Sequence, residues 1–189
     1  MAGPFTAEDF DQLSTLVLDA WESGLDRNWS AKAGTLDWTC FDTADHTIDC
    51  VFSYALFLAS RCQDAYPNFG ELHALAGATP QDLLDGLRAV TTMLTAVIVT
   101  ADPDVRAVIW HRPEAETGAP LDFAARGGLE MILHAHDVCV GLGVRFEPPP
   151  GLCARLFEHT REWPVEPPWQ ATSDPWADLL ERSGRARPA

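Results

Sequence analysis

The sequence predicts an all-α fold: a four-helix bundle with a short C-terminal helix and a Pro/Trp-rich tail. Three observations lead there. Four segments of about 20 residues repeat their apolar side chains at helical spacing. No stretch shows sustained apolar–polar alternation bounded by hairpin turn signals, so strands are not expected to matter. The chain has 189 residues, 47% of them apolar, enough for one core without disulfide or metal support. Residues 1–189 are therefore read as a single domain.

The first helix, 7–27, places Phe10, Leu13, Leu16, Val17, Ala20, Trp21 and Leu25 on one stripe. The second, 43–63, starts behind Asp42 or Thr43 as cap and carries Ile48, Val51, Phe52, Ala55 and Leu58. The third, 80–100, has Thr79 as cap, Pro80 in its first turn and Asp82 near the positive end of the helix dipole. Its core face reads Leu83, Leu87, Val90, Leu94, Val97 and Ile98. The fourth, 120–142, begins at Pro120 and stops at "GLG". "RNWSAKAGTLDW" and "ADPDVRAVIWHRPEAETG" are read as loops. A shorter helix, 151–161, follows "FEPPP", and then comes a tail, 162–189, expected to pack on the bundle. Its Trp163, Trp169 and Trp176 are read as the anchors of that strap, and "ADLLER" as a last turn or two.

A net charge of −15 argues against nucleic acid and against an anionic membrane surface as partners. No basic-then-apolar leader is read at the N-terminus, and no apolar run is read as approaching the roughly 20 residues of a membrane span. A soluble cytoplasmic protein is expected. Five cysteines, an odd number with no C-x-x-C pair, point to reduced thiols rather than a disulfide framework. No phosphate loop or nucleophile elbow appears.

The chemistry concentrates in "ARGGLEMILHAHDVC". At about 100° per residue Glu130 and His134 share a face, with Arg126 one turn before and Asp137 nearly one turn after. His136 points about 200° away from His134, so the two histidines cannot share a role. Such a line of charges reads either as a solvated face or as an interior site. Leu129, Met131, Ile132, Leu133 and Val138 surround it, as they would on a helix wrapped in protein. His46 in the second helix reads either as a hydrogen-bonded core residue or as a ligand from a facing helix. Two imidazoles and one carboxylate suit Zn²⁺, Ni²⁺ or Fe²⁺ and leave coordination positions open.

These residues give the chain its resemblance to a known family. "WTCFDTADH" puts Trp38, Thr39, Asp42 and His46 in a W-[ST]-x-x-[DE]-x-x-x-H pattern, and "EMILHAHD" puts Glu130, His134 and Asp137 in E-x-x-x-H-x-x-D. With the closing "DPWADLLERSGRARP", the sequence resembles the DinB-like superfamily. Within it, the chain is most similar to the metal-binding N-terminal domain of mycothiol-dependent maleylpyruvate isomerase, as a short single-domain member. The resemblance implies His46, Glu130 and His134 as metal ligands and Asp137 as the partner that orients a ligand. It also implies Arg126 as an anchor for an anionic substrate or thiol cofactor. The implied cofactors are Zn²⁺ (or Ni²⁺ or another divalent transition metal) and mycothiol. The implied partners are a small-molecule substrate or thiol and, for self-association, a homodimer. A thiol on Zn²⁺ is deprotonated and becomes a nucleophile.

The chain has no room for the isomerase's C-terminal domain, so the expected activity is a metal- and thiol-dependent transfer or isomerisation on a small electrophile. A metal hydrolase and a non-catalytic metal-binding stress protein are the alternatives. Cys50, four residues after His46, would close the site as a fourth ligand; the family pattern asks for no thiol there, and it is read as a packed, reduced core cysteine. Arg126 has two readings: paired with Glu130 or an acid on a neighbouring helix, or free to bind a ligand carboxylate. His73 and His111 are read as surface loop residues, His111 with Trp110 and Arg112 at the pocket mouth, and His159 as solvated.

Overall fold

Three of the long helices open with the same device. In the computed structural model, which describes residues 3–163 and 172–185, α1 (Ala7–Glu22), α2 (Cys40–Ser60) and α3 (Pro80–Thr100) are each preceded by a threonine. The hydroxyls of Thr6, Thr39 and Thr79 accept from the backbone N–H of Asp9, Asp42 and Asp82, whose carboxylates accept in return from the threonine N–H groups. This capping box satisfies two orphan donors and places a negative charge at the positive helix end. The box corrects the start of α2, which begins at Cys40 behind Thr39 rather than behind Asp42 or Thr43. It ends at Arg61, whose φ of 56° is left-handed.

α1 stops at Glu22, short of residue 27, because the chain turns inward at once: the Trp29 indole donates to the carbonyl of Gly24 at 3.0 Å. α3 packs on α1 and α2, and α4 (Pro120–Leu142) packs on α2 and α1, with the apolar core shared among these helices. Trp21, Phe10, Leu87, Leu94, Phe123 and Met131 are fully buried there. α3 corrects the expectation that no segment reaches the length and apolarity of a membrane span; by length and composition alone it does. Its Leu83, Leu87, Val90, Leu94 and Ile98 face is nevertheless buried, and Asp82, Asp85 and Arg88 occupy its first turns.

The region between α3 and α4 corrects the purely helical expectation. β1 (Ala107–His111) pairs antiparallel with β2 (Ala115–Gly118) in a two-stranded hairpin, and the Val108 N–H donates to the Cys62 carbonyl just beyond α2. Ala107 to Trp110 are all buried, so the strand shows a continuous apolar run instead of alternation. A register shift between Val108 and Trp110 breaks the period further.

α5 (Pro150–His159) and α6 (Pro175–Arg182) pack on each other, and α5 also meets α4. The Asp174 carboxylate caps α6, which forms a full eight-residue helix rather than a last turn. The Arg182 guanidinium donates to the Thr160 carbonyl at 2.7 Å and so fastens α6 to the end of α5. Of the three strap tryptophans, Trp163 lies edge-on to Trp110 and Trp176 edge-on to His136, while Trp169 falls outside the described residues. His159 is not solvated as expected. Its Nδ1 accepts from the Phe5 N–H and its Nε2 lies 2.9 Å from Asp122, the carboxylate that accepts from Ala119 N–H at the start of α4.

Gly141, late in α4, is where the segment after Trp29 crosses closest: a Cβ there would strike the Lys32 carbonyl and the Cys40 sulfur. The backbone oxygen cannot swing aside. Gly141→Ala should therefore destabilise the fold by about 1–3 kcal/mol despite the better helix propensity of alanine. Urea denaturation of both proteins measures it; an unchanged or higher midpoint would contradict the packing.

Candidate metal centre

Phase along two facing helices brings the cluster together. One turn after Asp42 in the α2 capping box comes His46, and the Trp38 ring lies edge-on to it, 4.9 Å between centroids. From α4, Glu130 and His134 project toward the same point. One ligand atom each from His46, Glu130 and His134 lie within 4.8 Å of one another. The His134 Nε2 to Glu130 Oε2 separation is 3.5 Å. Two donors bound to one tetrahedral ion at about 2.0–2.1 Å stand about 3.4 Å apart, so this pair already has the spacing of shared ligands.

Both α4 donors are held from behind. The Glu130 Oε1 accepts from the Tyr54 hydroxyl at 3.2 Å and from Arg126 Nη2 at 3.1 Å, which leaves Oε2 turned toward His134. On its far side His134 Nδ1 meets Asp137 Oδ2 at 3.3 Å, the carboxylate–histidine arrangement that fixes Nε2 as the coordinating atom. Asp137 in turn accepts from Arg185 Nε, at 3.0 Å to both of its oxygens, and from Arg185 Nη2 at 2.6 Å. Exposure of these side chains falls along the line, from 19% at Arg126 and 18% at Glu130 to 11% at His134 and 2% at Asp137. The polar line of α4 is thus an interior one.

Electrostatics puts most donors in metal-ready form. Burial alone would raise the Glu130 pKa, but the His134 hydrogen bond and the charges of Arg126, His134 and His46 hold it down at about 2. Burial lowers that of His46, aided by the neighbouring His134, so its imidazole is neutral. His134 is the exception. Burial would lower its pKa, yet hydrogen bonds to Asp137 and Glu130 outweigh that and raise it above the usual 6.5.

Cys50 lies 3.4 Å from His46 Nε2, but the cluster of mutually close ligand atoms does not include it, and burial pushes its thiol pKa well up. His136 faces Trp176 and is not in the cluster either. His73, exposed, bridges Asp45 and Glu71. Trp110 and Arg112 line the pocket beside the cluster, while His111 at the end of β1 is exposed and not among its lining residues. Arg126 adopts the paired reading with Glu130, and its guanidinium also lies 3.7 Å over the Trp110 ring.

Two contributors escape a sequence reading. Tyr54 is eight residues after His46 on the same side of α2, a spacing that could have marked it. Arg185 comes from the chain beyond α6, and its only sequence mark is the "GR" of the closing motif. A cavity of about 230 Å³ opens beside the cluster, lined by Glu130, Arg126, Trp110, Leu129, Leu133 and Leu179 among others.

Comparison of the chain with models of known families, with curated proteins and with solved structures returns no match.

The ligand set makes a direct test. His46→Ala, Glu130→Ala and His134→Ala should each lose bound divalent metal by elemental analysis, while His136→Ala keeps it. Metal loss from His136→Ala with retention by His134→Ala would contradict the assignment of faces. A second expectation follows from His134. A metal must displace its proton, so affinity should weaken by up to about tenfold per pH unit below its raised pKa, with protons released on metal binding in that range. Competition titrations in buffers of different ionisation enthalpy measure both, and pH-independent binding between about 6 and 8 would contradict it.

Proposed function

We propose that the chain is a divalent-metal protein built as a four-helix bundle of the DinB-like kind, acting as a thiol-dependent transferase or isomerase on a small electrophile. One observation supports this above others: three ligand-type side chains converge in an N, O, N set, and one of them, Glu130, also lines a cavity. Structural metal sites close with four protein ligands, whereas three leave a position for a reacting group. Zn²⁺ is the metal this set suits best, with Ni²⁺ or another divalent transition metal also accommodated. When bound there, the metal would lower the pKa of a thiol and supply a nucleophile at neutral pH.

The residues around it have separate tasks. His46, Glu130 and His134 hold the ion, and Tyr54 and Arg126 fix the unused oxygen of Glu130. Asp137 holds His134 in one tautomer. Trp110, Trp163, Leu129, Leu133 and Leu179 form apolar walls that exclude water from a small substrate. Arg126 Nε is buried and has no hydrogen-bond partner among the described residues, which leaves its N–H to donate to an anionic group of substrate or thiol. Thiol dependence, with mycothiol as the thiol, rests on the resemblance of the two histidine motifs. The five free cysteines accord with a reducing, cytoplasmic setting.

Cobalt substitution tests the reading. Adding mycothiol to the Co²⁺ protein should produce intense near-ultraviolet sulfur-to-cobalt charge transfer, absent in Glu130→Ala. No change with thiol, together with ester hydrolysis by the metal-loaded protein, would replace the transferase reading with a hydrolase.

A further inference from the structure

The segment after α6 reaches the centre of the molecule. Leu179 and Leu180 of α6 are buried, and Arg182 holds its end to Thr160. At Gly184, φ 76°, the chain reverses in the left-handed region, and the Arg185 N–H donates back to the Leu180 carbonyl at 2.9 Å. That reversal points the Arg185 side chain inward, where 11% of it remains exposed. Its Nε and Nη2 take both oxygens of Asp137, and its Nη2 stands 3.5 Å from His134 Nδ1.

We infer that Arg185 is a positioning residue of the metal centre. By gripping Asp137 it fixes the acceptor of the His134 Nδ1–H, so docking of the C-terminal segment sets how tightly His134 holds a metal. The inference rests on the metal reading above and adds to it a residue 48 positions from Asp137 in sequence.

The chemistry requires such a partner. Asp137 is 1% exposed, and a buried carboxylate stays ionised only when cations or donors surround it. It has two partners that carry or share charge, His134 and Arg185. When His134 gives its Nε2 to a metal it is neutral, and its Nδ1–H becomes a single donor to Asp137. Arg185 is then the fully charged donor that grips both oxygens of Asp137. The planar fork also fixes the carboxylate in two dimensions, which an ammonium group does not. Gly34, in the loop before α2, crowds the other side: a Cβ there would lie 3.3 Å from Asp137 Oδ1. Arg185 therefore holds the carboxylate where the loop leaves room only for a glycine.

α6 and the residue after it supply Leu179, Arg182 and Ser183 to the cavity beside Glu130. Departure of the segment would open that wall and release Asp137 together.

The experiment uses the full chain loaded with Co²⁺, in wild type, Arg185→Ala, Arg185→Lys, Asp137→Asn and the Arg185→Ala/Asp137→Asn pair. Arg155→Ala serves as a control, because Arg155 pairs with the buried Asp9 far from the metal and its loss costs stability alone. Readouts are the ligand-field spectrum and the rate of Co²⁺ loss to a chelator. Arg185→Ala should change the spectrum and speed metal loss by about 10- to 100-fold, the range for partners that orient a ligand. Methylguanidinium should slow that loss again in Arg185→Ala, and Arg185→Lys should fall between. In the Asp137→Asn background, Arg185→Ala should add little. Wild-type kinetics and spectrum in Arg185→Ala would overturn the inference alone, as would equal metal loss from Arg155→Ala. Failure of the wild type to bind Co²⁺ would overturn it together with the metal reading.

Discussion

Two carboxylates on the inward face of α4, Asp137 buried and Glu130 largely covered, need compensating charge, and the supply of that charge organises the molecule. Glu130 and Asp137 flank His134, seven residues apart, at a depth where an unpaired anion would cost several kcal/mol. Glu130 is answered by Arg126 on its own helix and by the Tyr54 hydroxyl from α2. Asp137 is answered by Arg185 from beyond α6. Arg126 itself is covered by Trp110 from the hairpin. So α2, β1 and the C-terminal segment each send a group to one helix, and the polar line is satisfied only when all three are in place.

That arrangement carries a built-in tension, which is what a binding site looks like in a folded chain. Glu130 Oε2, His134 Nε2 and a nitrogen of His46 converge without bonding one another well; the His134 to Glu130 contact is 3.5 Å, long for a charged hydrogen bond. The atoms facing away from the convergence point are tightly held, with contacts of 2.6–3.3 Å. Donors that are loose on one side and fixed on the other are pre-organised for a guest. The asymmetry favours an ion over a self-satisfied polar core.

Much of this was legible in the sequence, for physical reasons that also mark where legibility stops. Long amphipathic helices announce themselves because burial repeats every turn, and Thr39 with Asp42 shows that the W-T-x-x-D-x-x-x-H pattern is a helix start followed one turn later by the histidine of the cluster. Glu130 and His134 follow from helical spacing, as does the exclusion of His136. The hairpin was hidden because Ala107 to Trp110 are buried on both faces and interrupted by a register shift, leaving no alternation to read. His159 looked solvated because its partners, Phe5 and Asp122, are 154 and 37 residues away. Arg185 is hidden for the same reason, since its contact to Asp137 spans 48 residues, whereas Tyr54 carries a local mark in its spacing from His46 along α2.

The central claim is an open centre of two imidazoles and one carboxylate that no protein sulfur completes. X-ray absorption at the metal edge of the Zn²⁺-loaded, thiol-free protein tests it most directly. The account predicts nitrogen and oxygen scatterers at about 2.0–2.1 Å, with outer-shell features of two imidazoles, and a new sulfur scatterer near about 2.3 Å only after a thiol is added. Sulfur in the coordination sphere before any thiol is added would mean that Cys50 closes the site, and would contradict it.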